Sequence, residues 1–312
     1  MKKTPLVILT GPTAVGKTAL SIELARAINA SIISADSMQI YRGMDVGTAK
    51  VTKEEMQEIR HYGIDIMEPD VDYDVTQFVA MAKQAIHEIT EQGKIPLVVG
   101  GTGFYIQALL YDIDFEEEEA DTALRLKLSD IARTSGNEVL HEMLAAVDEE
   151  SAKAIPAGNV KRMIRALEYY QHTGEKFSEY NHRQRQKESP YDFHYFVLTD
   201  DREKLYDRIN RRVDLMMEQG ICEEAKQLYA VDQKGEHTAA KAIGYREFYS
   251  YFRGECTLED VAYKIKLDSR HFAKRQLTWF RREKDVEWFD RREYEDDRQI
   301  LTEMTRRILN KA

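Results

Sequence analysis

The chain contains 312 residues, 43% of them hydrophobic, with a formal net charge of −10 at pH 7. That length accommodates two domains or one large domain with an insertion, and the hydrophobic fraction is that of a globular protein with a sizeable core. No apolar run is long enough to span a bilayer, and the two cysteines, Cys222 and Cys256, lack metal-ligand spacing. Composition therefore excludes a membrane-spanning or disulfide-rich secreted protein, and we expect a cytoplasmic protein without a membrane partner.

The acidic total conceals a separation of charge along the chain. Acidic residues dominate positions 112–121, whereas lysine and arginine dominate positions 264–284. An acidic protein can present a basic groove, so the net charge does not exclude a nucleic acid as partner. We predict that the glutamate run at 116–119 is a solvated loop or helix edge.

The N-terminal sequence matches a phosphate-binding loop in its structural context. The apolar run from Leu6 to Leu9 predicts a strand, and residues 17–28 predict a helix. Between them lies the pattern G-x-x-x-x-G-K-[ST], formed by Gly11, Pro12, Thr13, Ala14, Val15, Gly16, Lys17 and Thr18. In this motif the loop N–H groups and the helix N-terminus surround an anion, the lysine adds a positive charge, and the Thr18 hydroxyl is a ligand for Mg²⁺. The motif predicts a bound phosphate or diphosphate without naming the molecule.

The first hundred residues alternate between strand and helix patterns. The further predicted elements are strands at 31–34, 62–67 and 95–99 and a helix over 74–91. This alternation is typical of an α/β fold, here a P-loop NTPase-like parallel sheet with helices on both faces. Because ligands gather at the carboxyl ends of parallel strands, we expect Thr13, Asp36 and Thr102 to meet in one site.

The composition becomes helix-rich after Tyr111. We predict a helical insertion domain over residues 115–195 and a catalytic core formed by residues 1–114 and 196–312, which ends in a helical C-terminal region. A strand predicted at 193–198 returns the chain to the first sheet.

Asp36 follows the second predicted strand and has three possible roles. Its carboxylate can ligate Mg²⁺ through water, act as a general base on a nucleophile, or cap a helix or turn. Position alone does not choose among these roles. The polar, glycine-spaced stretch at 41–50 is predicted to be an ordered loop over the site rather than part of the core.

Several runs of sequence closely resemble the bacterial tRNA dimethylallyltransferases. The most restrictive are Asp-Ser-x-Gln-x-Tyr, beginning at Asp36, and Lys-Arg-Gln-x-Thr-Trp, beginning at Lys274. The matching runs occur in family order at 11–18, 34–50, 99–105, 162–168, 242–247 and 273–281. The resemblance thus extends over nearly the whole chain.

The resemblance implies transfer of a prenyl group from dimethylallyl diphosphate to the exocyclic amine of the adenosine just 3′ of the anticodon. The phosphate loop would then hold a diphosphate leaving group, whose charge Lys17, backbone dipoles and Mg²⁺ on Thr18 neutralise. Asp36 matches the aspartate that acts as base in the family. Arg212 and Arg208 are expected to clamp the diphosphate, because they share a helix face.

The resemblance also implies a tRNA-binding surface, with the insertion domain contacting the anticodon stem-loop. Such a surface needs cations, stacking partners and room for an extruded base. The residues that match tRNA-contacting positions are Asp36, Ser37, Met38, Gln39, Thr102, Arg125, Lys161, Arg162, Met163, Ile164, Arg165, Lys274, Arg275 and Arg281. Taken singly, each lysine and arginine among them is better explained as an ordinary exposed charge, and for Arg125 the two explanations are equal.

Three other functions fit parts of the sequence. A small-metabolite kinase would use the same loop for ATP, but it has no need of a basic, aromatic C-terminal region. An adenylate isopentenyltransferase would use the same donor and a free nucleotide, without an insertion such as 115–195. An RNA-binding module with a vestigial nucleotide site is disfavoured by the intact Lys17, Thr18 and Asp36.

Overall fold

Six parallel strands form one sheet within the described part of the chain, residues 3–114 and 121–310 of a computed structural model. The spatial order is β3-β2-β4-β1-β5-β6. In chain order the strands are β1 (Thr4–Thr10), β2 (Ala30–Ser34), β3 (His61–Tyr62), β4 (Ile95–Gly100), β5 (Tyr191–Thr199) and β6 (Val286–Asp290). All neighbouring strands pair in parallel, so the predicted parallel sheet is confirmed.

Helices connect the strands and make up the insertion and the C-terminal region. They are α1 (Lys17–Ala27), α2 (Lys53–Met56), α3 (Val75–Glu91), α4 (Gly103–Leu110), α5 (Thr122–Ser135), α6 (Asn137–Val147), α7 (Glu149–Ala154), α8 (Val160–Thr173), α9 (Phe177–Gln186), α10 (Arg202–Glu218), α11 (Ile221–Val231), α12 (Phe248–Phe252), α13 (Leu258–Phe280) and α14 (Asp297–Asn310). The glutamate run at 116–119 lies outside the described residues.

Strand β1 is covered on both faces. All four residues from Leu6 to Leu9 are at most 2% exposed. Successive side chains of a strand point to opposite faces, so a continuous apolar run is typical of a strand buried between two helical layers. Val7 and Leu9 belong to a core that also contains residues of α1, α10 and α14, such as Met304. This packing fixes the carboxyl end of β1, from which the phosphate loop departs.

The strand ends converge because glycine allows a close approach. A Cβ built on Gly100, at the end of β4, would lie 2.3 Å from the backbone of Ala35. Ala35 in turn donates its N–H to Val99 O at 2.8 Å and accepts from the N–H of Thr102 at 3.2 Å. Asp36 and Thr102 are therefore brought side by side, as the strand order predicts.

The chain divides into two compact units, one made of the residues up to Leu110 and from Pro190 onward, the other of Tyr111–Ser189. Strand β5 begins at Tyr191 and pairs with β1 from Thr4 onward. Residues 191–195, which the sequence placed in the insertion, therefore lie in the sheet. Strand β3 is also shorter than the predicted 62–67, because the chain beyond Tyr62 hydrogen-bonds to the segment at Ile40 instead.

The second unit contains α5 to α9 and has its own hydrophobic core. Leu140, Leu144 and Met163 are fully buried within it, together with Leu128 and Ile164. The helical character of this unit agrees with its composition.

We predict that Gly100→Ala destabilises the sheet by about 1–3 kcal/mol, because the new methyl group has no room against the backbone of Ala35. Urea unfolding measures the change. Gly158→Ala is the matched control, since a Cβ there meets nothing within 4 Å. Equal stability of the two variants would contradict this account of the strand ends.

Candidate active site

The phosphate loop has the backbone geometry that its sequence predicts. Gly16 caps α1 with φ 95° and ψ 25°, a left-handed conformation that favours glycine. A Cβ on Gly16 would also lie 2.5 Å from Nη1 of Arg291. The loop thus leads directly into the N-terminus of α1, where unpaired N–H groups and the helix dipole favour an anion.

Lys17 lies folded over this loop. Its Nζ donates to Gly11 O at 2.9 Å and to Pro12 O at 2.8 Å. Burial lowers the pKa of the Lys17 ammonium to about 8; the Asp36 carboxylate opposes that shift, and Arg212 adds to it. An anion that binds to the loop therefore stabilises the charged form of this buried ammonium.

Asp36 caps the turn that follows β2. Its Oδ1 accepts from the N–H of Met38 at 2.9 Å and of Gln39 at 3.4 Å. The capping role left open by the sequence is therefore present. It does not exclude a chemical role, because a carboxylate has a second oxygen and Asp36 also lines a cavity of the first unit.

The two arginines of α10 have different surroundings. Arg212 lines the cavity and makes long hydrogen bonds to Thr13 Oγ1 (3.5 Å) and Thr48 O (3.3 Å). Burial lowers the pKa of Arg212, and the nearby charge of Asp36 counteracts that effect. Arg208 instead pairs with Asp200 at 2.5 Å and is not among the residues that line the cavity. The joint clamp of Arg208 and Arg212 stays a prediction: of the two, Arg212 lines the cavity, whereas Arg208 is paired with Asp200 one helical turn away.

The cavity that contains Asp36 and Arg212, called the main cavity here, has a volume of about 290 Å³ and two chemically distinct parts. One part is polar and contains Thr13, Asp36, Thr102 and Arg212. The other is apolar and is lined by side chains of α10, α13 and the segment at 242–244: Ile209, Val213, Met216, Ile243, Ile265 and Phe272. Such a cavity suits a ligand with a charged head and a small hydrocarbon tail.

Gln276 connects helix α13 to the polar part of the cavity. Its Oε1 accepts from the N–H of Thr13 at 2.8 Å, and its Nε2 donates to Gly101 O at 2.9 Å. The side chain is buried and joins the phosphate loop to the end of β4. Sequence reasoning did not single it out, although a glutamine flanked by basic residues in the Lys-Arg-Gln run was a visible signal.

Arg291 is a second residue that the sequence did not reveal. Its Nη1 donates to Val15 O of the phosphate loop at 2.7 Å. It also pairs with Asp297 and lies 4.0 Å from Asp200, the partner of Arg208. The phosphate loop is thereby held by Arg291, which follows β6 and pairs with the first residue of α14.

The segment at 41–50 is partly in the cavity wall and partly in the core. Gly47 and Thr48 line the cavity, as expected of a loop over the site. Tyr41, Met44 and Lys50 are buried, so the expectation that the whole stretch lies outside the core was wrong. Lys50 is neutralised there by Asp45 at 2.6 Å and Asp65 at 2.5 Å, which makes its burial possible.

The remaining residues of the Asp36 run lie around the same cavity. Ser37 and Met38 line it, and the N–H of Ser37 donates to Thr102 Oγ1 at 3.3 Å. Gln39 is half-buried and donates through Nε2 to Thr48 O and Ala49 O, both at 3.4 Å. Gln39 therefore contacts Thr48 in the cavity wall and is not itself among the lining residues.

The three basic residues of the C-terminal region that were predicted to contact tRNA are exposed. Lys274 and Arg275 lie on α13, and Arg281 follows its last turn. Arg275 also lines the main cavity. Trp279, on the same helix, is half-buried, and its ring occupies the space where Gly103 has no side chain. Cations and aromatic rings therefore stand together at this part of the first unit.

In the second unit, the candidate residues on α8 lie on two different faces of this amphipathic helix. Lys161 and Arg162 are exposed, whereas Met163 and Ile164 are in the core. The face of the helix that carries the last two side chains packs against α5 and α6. A contact of Met163 and Ile164 with tRNA stays a prediction, and it would have to use their backbone atoms.

Arg125 and Arg165 share a buried partner in this unit. The carboxylate of Glu168 accepts from Arg125 at 2.7 and 2.9 Å and lies 3.5 Å from Arg165. Arg125 is still 43% exposed, so part of its guanidinium faces solvent.

The described residues contain neither a cluster of metal-binding side chains nor a membrane-spanning helix. Within residues 3–114 and 121–310 there is no group of three or more His, Cys, Asp or Glu side chains arranged to hold a metal ion. In the same ranges, every helix is too short or too polar to cross a membrane.

A parallel sheet whose first strand leads into a phosphate-binding loop, with an acidic residue after the next strand, defines a P-loop-type α/β protein. Comparison with protein families is more specific. A family model described as IPP transferase matches residues 39–283. The chain therefore belongs to the IPP transferase family, and the resemblance found in its sequence is confirmed.

Relatives and solved structures agree with this assignment. The tRNA dimethylallyltransferase of Lachnoclostridium phytofermentans is 52% identical over 307 residues, which cover 98% of each chain. That of Bacillus cereus is 51% identical over 301 residues, covering 96% of this chain and 94% of the relative.

Among solved structures, the full-length tRNA isopentenylpyrophosphate transferase of Bacillus halodurans is 42% identical, with a TM-score of 0.75 over 99% of this chain and 97% of that one. A eukaryotic dimethylallyltransferase acting on tRNA is 30% identical and gives a TM-score of 0.78 over 92% of this chain and 74% of its own.

Proposed function

We propose that this protein transfers the dimethylallyl group of dimethylallyl diphosphate to the exocyclic amine of the adenosine 3′ of the anticodon in tRNA and releases diphosphate. The observation that carries the proposal is a single cavity in which Asp36 and Arg212 adjoin the phosphate loop at one end and an apolar wall forms the other. The relatives named above support the reaction class and tRNA as the substrate.

The donor fits this cavity in one orientation. Its diphosphate lies against the loop N–H groups, with Lys17 and Arg212 as counter-charges. Its five-carbon chain lies along Ile209, Val213 and Met216, which together with Arg212 form one face of α10. One helix thus contacts both ends of the donor.

Magnesium fits the residues at the loop. Thr18 is the second residue of α1 and is exposed next to Lys17. The Thr18 hydroxyl would hold Mg²⁺ here, and the other ligands would be oxygens of the diphosphate and water, the coordination that Mg²⁺ prefers. When bound, Mg²⁺ supplies positive charge to the departing diphosphate.

Asp36 is the base in this proposal. The carbon–oxygen bond of the donor breaks, a carbon–nitrogen bond forms to the adenine amine, and the amine proton passes to the Asp36 carboxylate. The hydrogen bonds that the N–H groups of Met38 and Gln39 donate to Asp36 Oδ1 hold one oxygen of that carboxylate in place. Ser37 and Thr102, on the same side of the cavity, are suited to hold the extruded base.

The exposed cations are the proposed tRNA contacts. Lys274, Arg275 and Arg281 in the first unit, and Lys161 and Arg162 in the second, are placed to bind phosphates of the anticodon stem-loop. Each of these five contributes to affinity rather than to chemistry, so its loss lowers the salt dependence of tRNA binding.

The experiment that tests the function is mass spectrometry of tRNA nucleosides after incubation with dimethylallyl diphosphate and Mg²⁺. We expect dimethylallyl adenosine in tRNAs with A-rich anticodon loops and none in AMP offered at equal concentration. Transfer to AMP at the same rate would assign the protein to the free-nucleotide enzymes instead.

We predict that Asp36→Asn lowers kcat by about 10²–10⁴-fold, because an amide cannot take the proton. The asparagine oxygen still accepts the capping hydrogen bonds of Met38 and Gln39. Single-turnover transfer measures the rate, and tRNA affinity should stay within about twofold of the wild type.

Asp74→Asn is its control, since Asp74 caps α3 in the same manner. It should leave kcat unchanged. An Asp36→Asn variant with a near-normal rate would remove Asp36 as the base.

We expect the affinity for dimethylallyl diphosphate to fall as the pH rises above about 8, where Lys17 loses its proton in the unliganded protein. A bound diphosphate raises the pKa of that ammonium, so binding near this pH takes up protons. Calorimetry in buffers of different ionisation enthalpy counts them. Lys17→Arg keeps a permanent charge and should abolish the uptake; equal uptake in both proteins would contradict this role of Lys17.

A further inference from the structure

The carboxylate of Glu224, on α11, accepts hydrogen bonds from three consecutive backbone N–H groups of the segment at 45–47. Its Oε2 accepts from Asp45 at 2.8 Å and Val46 at 2.9 Å, and its Oε1 accepts from Gly47 at 3.0 Å. Successive N–H groups of this kind form a concavity that binds anions. Here the anion is supplied by the chain itself, 177 residues further along.

Tyr245 completes the binding of this carboxylate. Its hydroxyl donates to Glu224 Oε1, and its ring is fully buried against Gly47, where a Cβ would lie 2.6 Å from the ring. Burial raises the pKa of the Tyr245 hydroxyl, and the charge of Glu224 raises it further. The hydroxyl therefore stays protonated and remains a donor at neutral pH.

The next residue after this segment is Thr48, whose carbonyl accepts hydrogen bonds from two side chains, Arg212 and Gln39. Thr48 O accepts from Nη2 of Arg212 at 3.3 Å and from Nε2 of Gln39 at 3.4 Å. Gly47 and Thr48 both line the cavity. A displacement of this segment would therefore move Arg212, on the donor side, and Gln39, on the acceptor side, together.

We propose that Glu224 is a positioning residue that fixes the Thr48 carbonyl and, through it, the orientations of Arg212 and Gln39. This role rests on the proposed prenyl transfer. Glu224 touches neither substrate in it, and it acts only through the 45–48 segment. Hydrogen bonds to a carboxylate are stronger than neutral ones, so the charge of Glu224 is what the segment requires.

The test compares Glu224→Gln with Glu223→Gln, an exposed neighbour on the same helix. The amide keeps the shape but offers one acceptor oxygen, so four donors cannot all be satisfied. We expect about a tenfold rise in KM for dimethylallyl diphosphate and a fall of similar size in kcat, with tRNA affinity nearly unchanged. Glu223→Gln should match the wild type.

A double-mutant cycle separates positioning from a general structural role. In an Arg212→Ala background, Glu224→Gln should leave the KM for dimethylallyl diphosphate unchanged, because the side chain through which it acts is gone. Fully additive effects on that KM would overturn the proposal. A merely structural role would lower the unfolding temperature without this dependence on Arg212.

Tyr245→Phe provides a second route if Glu224→Gln fails to fold. It removes one donor and leaves the three N–H groups in place, so we expect a smaller change in the same two parameters and the same dependence on Arg212. A normal KM in Tyr245→Phe, or a raised KM that does not depend on Arg212, overturns the role of Glu224. Failure of the wild type itself to prenylate tRNA would instead overturn the proposed function.

Discussion

Two cations, Lys17 and Arg212, are held within electrostatic reach of each other and of one carboxylate, Asp36. Desolvation lowers the pKa of both cations, and the single negative charge of Asp36 only partly compensates. This excess of positive charge stabilises a multiply charged anion in the site. No reorganisation is needed when the anion binds, because the charges are already in place.

The fold supplies this arrangement through strand ends and long-range supports. Gly100 lets β4 approach Ala35, so that Asp36 and Thr102 become neighbours. Gln276 joins the phosphate loop to the end of β4, and Arg291 supports the loop from the other side. These contacts bring residues more than 170 positions apart in the chain into one small site. Rigid support of this kind is what a precise reaction geometry requires.

The sequence was sufficient to predict the elements whose causes are local. The phosphate loop follows from its own pattern, and the meeting of Thr13, Asp36 and Thr102 follows from the geometry of parallel strands. Helical spacing placed Arg208 and Arg212 on one face, but it did not reveal that Asp200 holds Arg208. Gln276 and Glu224 were missed because their roles depend on backbone groups far away in the chain, and local periodicity carries no information about those groups.

In the proposed reaction, Asp36 faces the adenine amine while Lys17 and Arg212 hold the diphosphate. A crystal structure with tRNA and a non-transferable analogue of dimethylallyl diphosphate would show whether they do. We expect an Asp36 carboxylate oxygen within hydrogen-bond distance of the amine, at about 2.7–3.2 Å, with both cations on the diphosphate. A carboxylate turned away from an ordered adenine, or a diphosphate bound away from the loop, would contradict it.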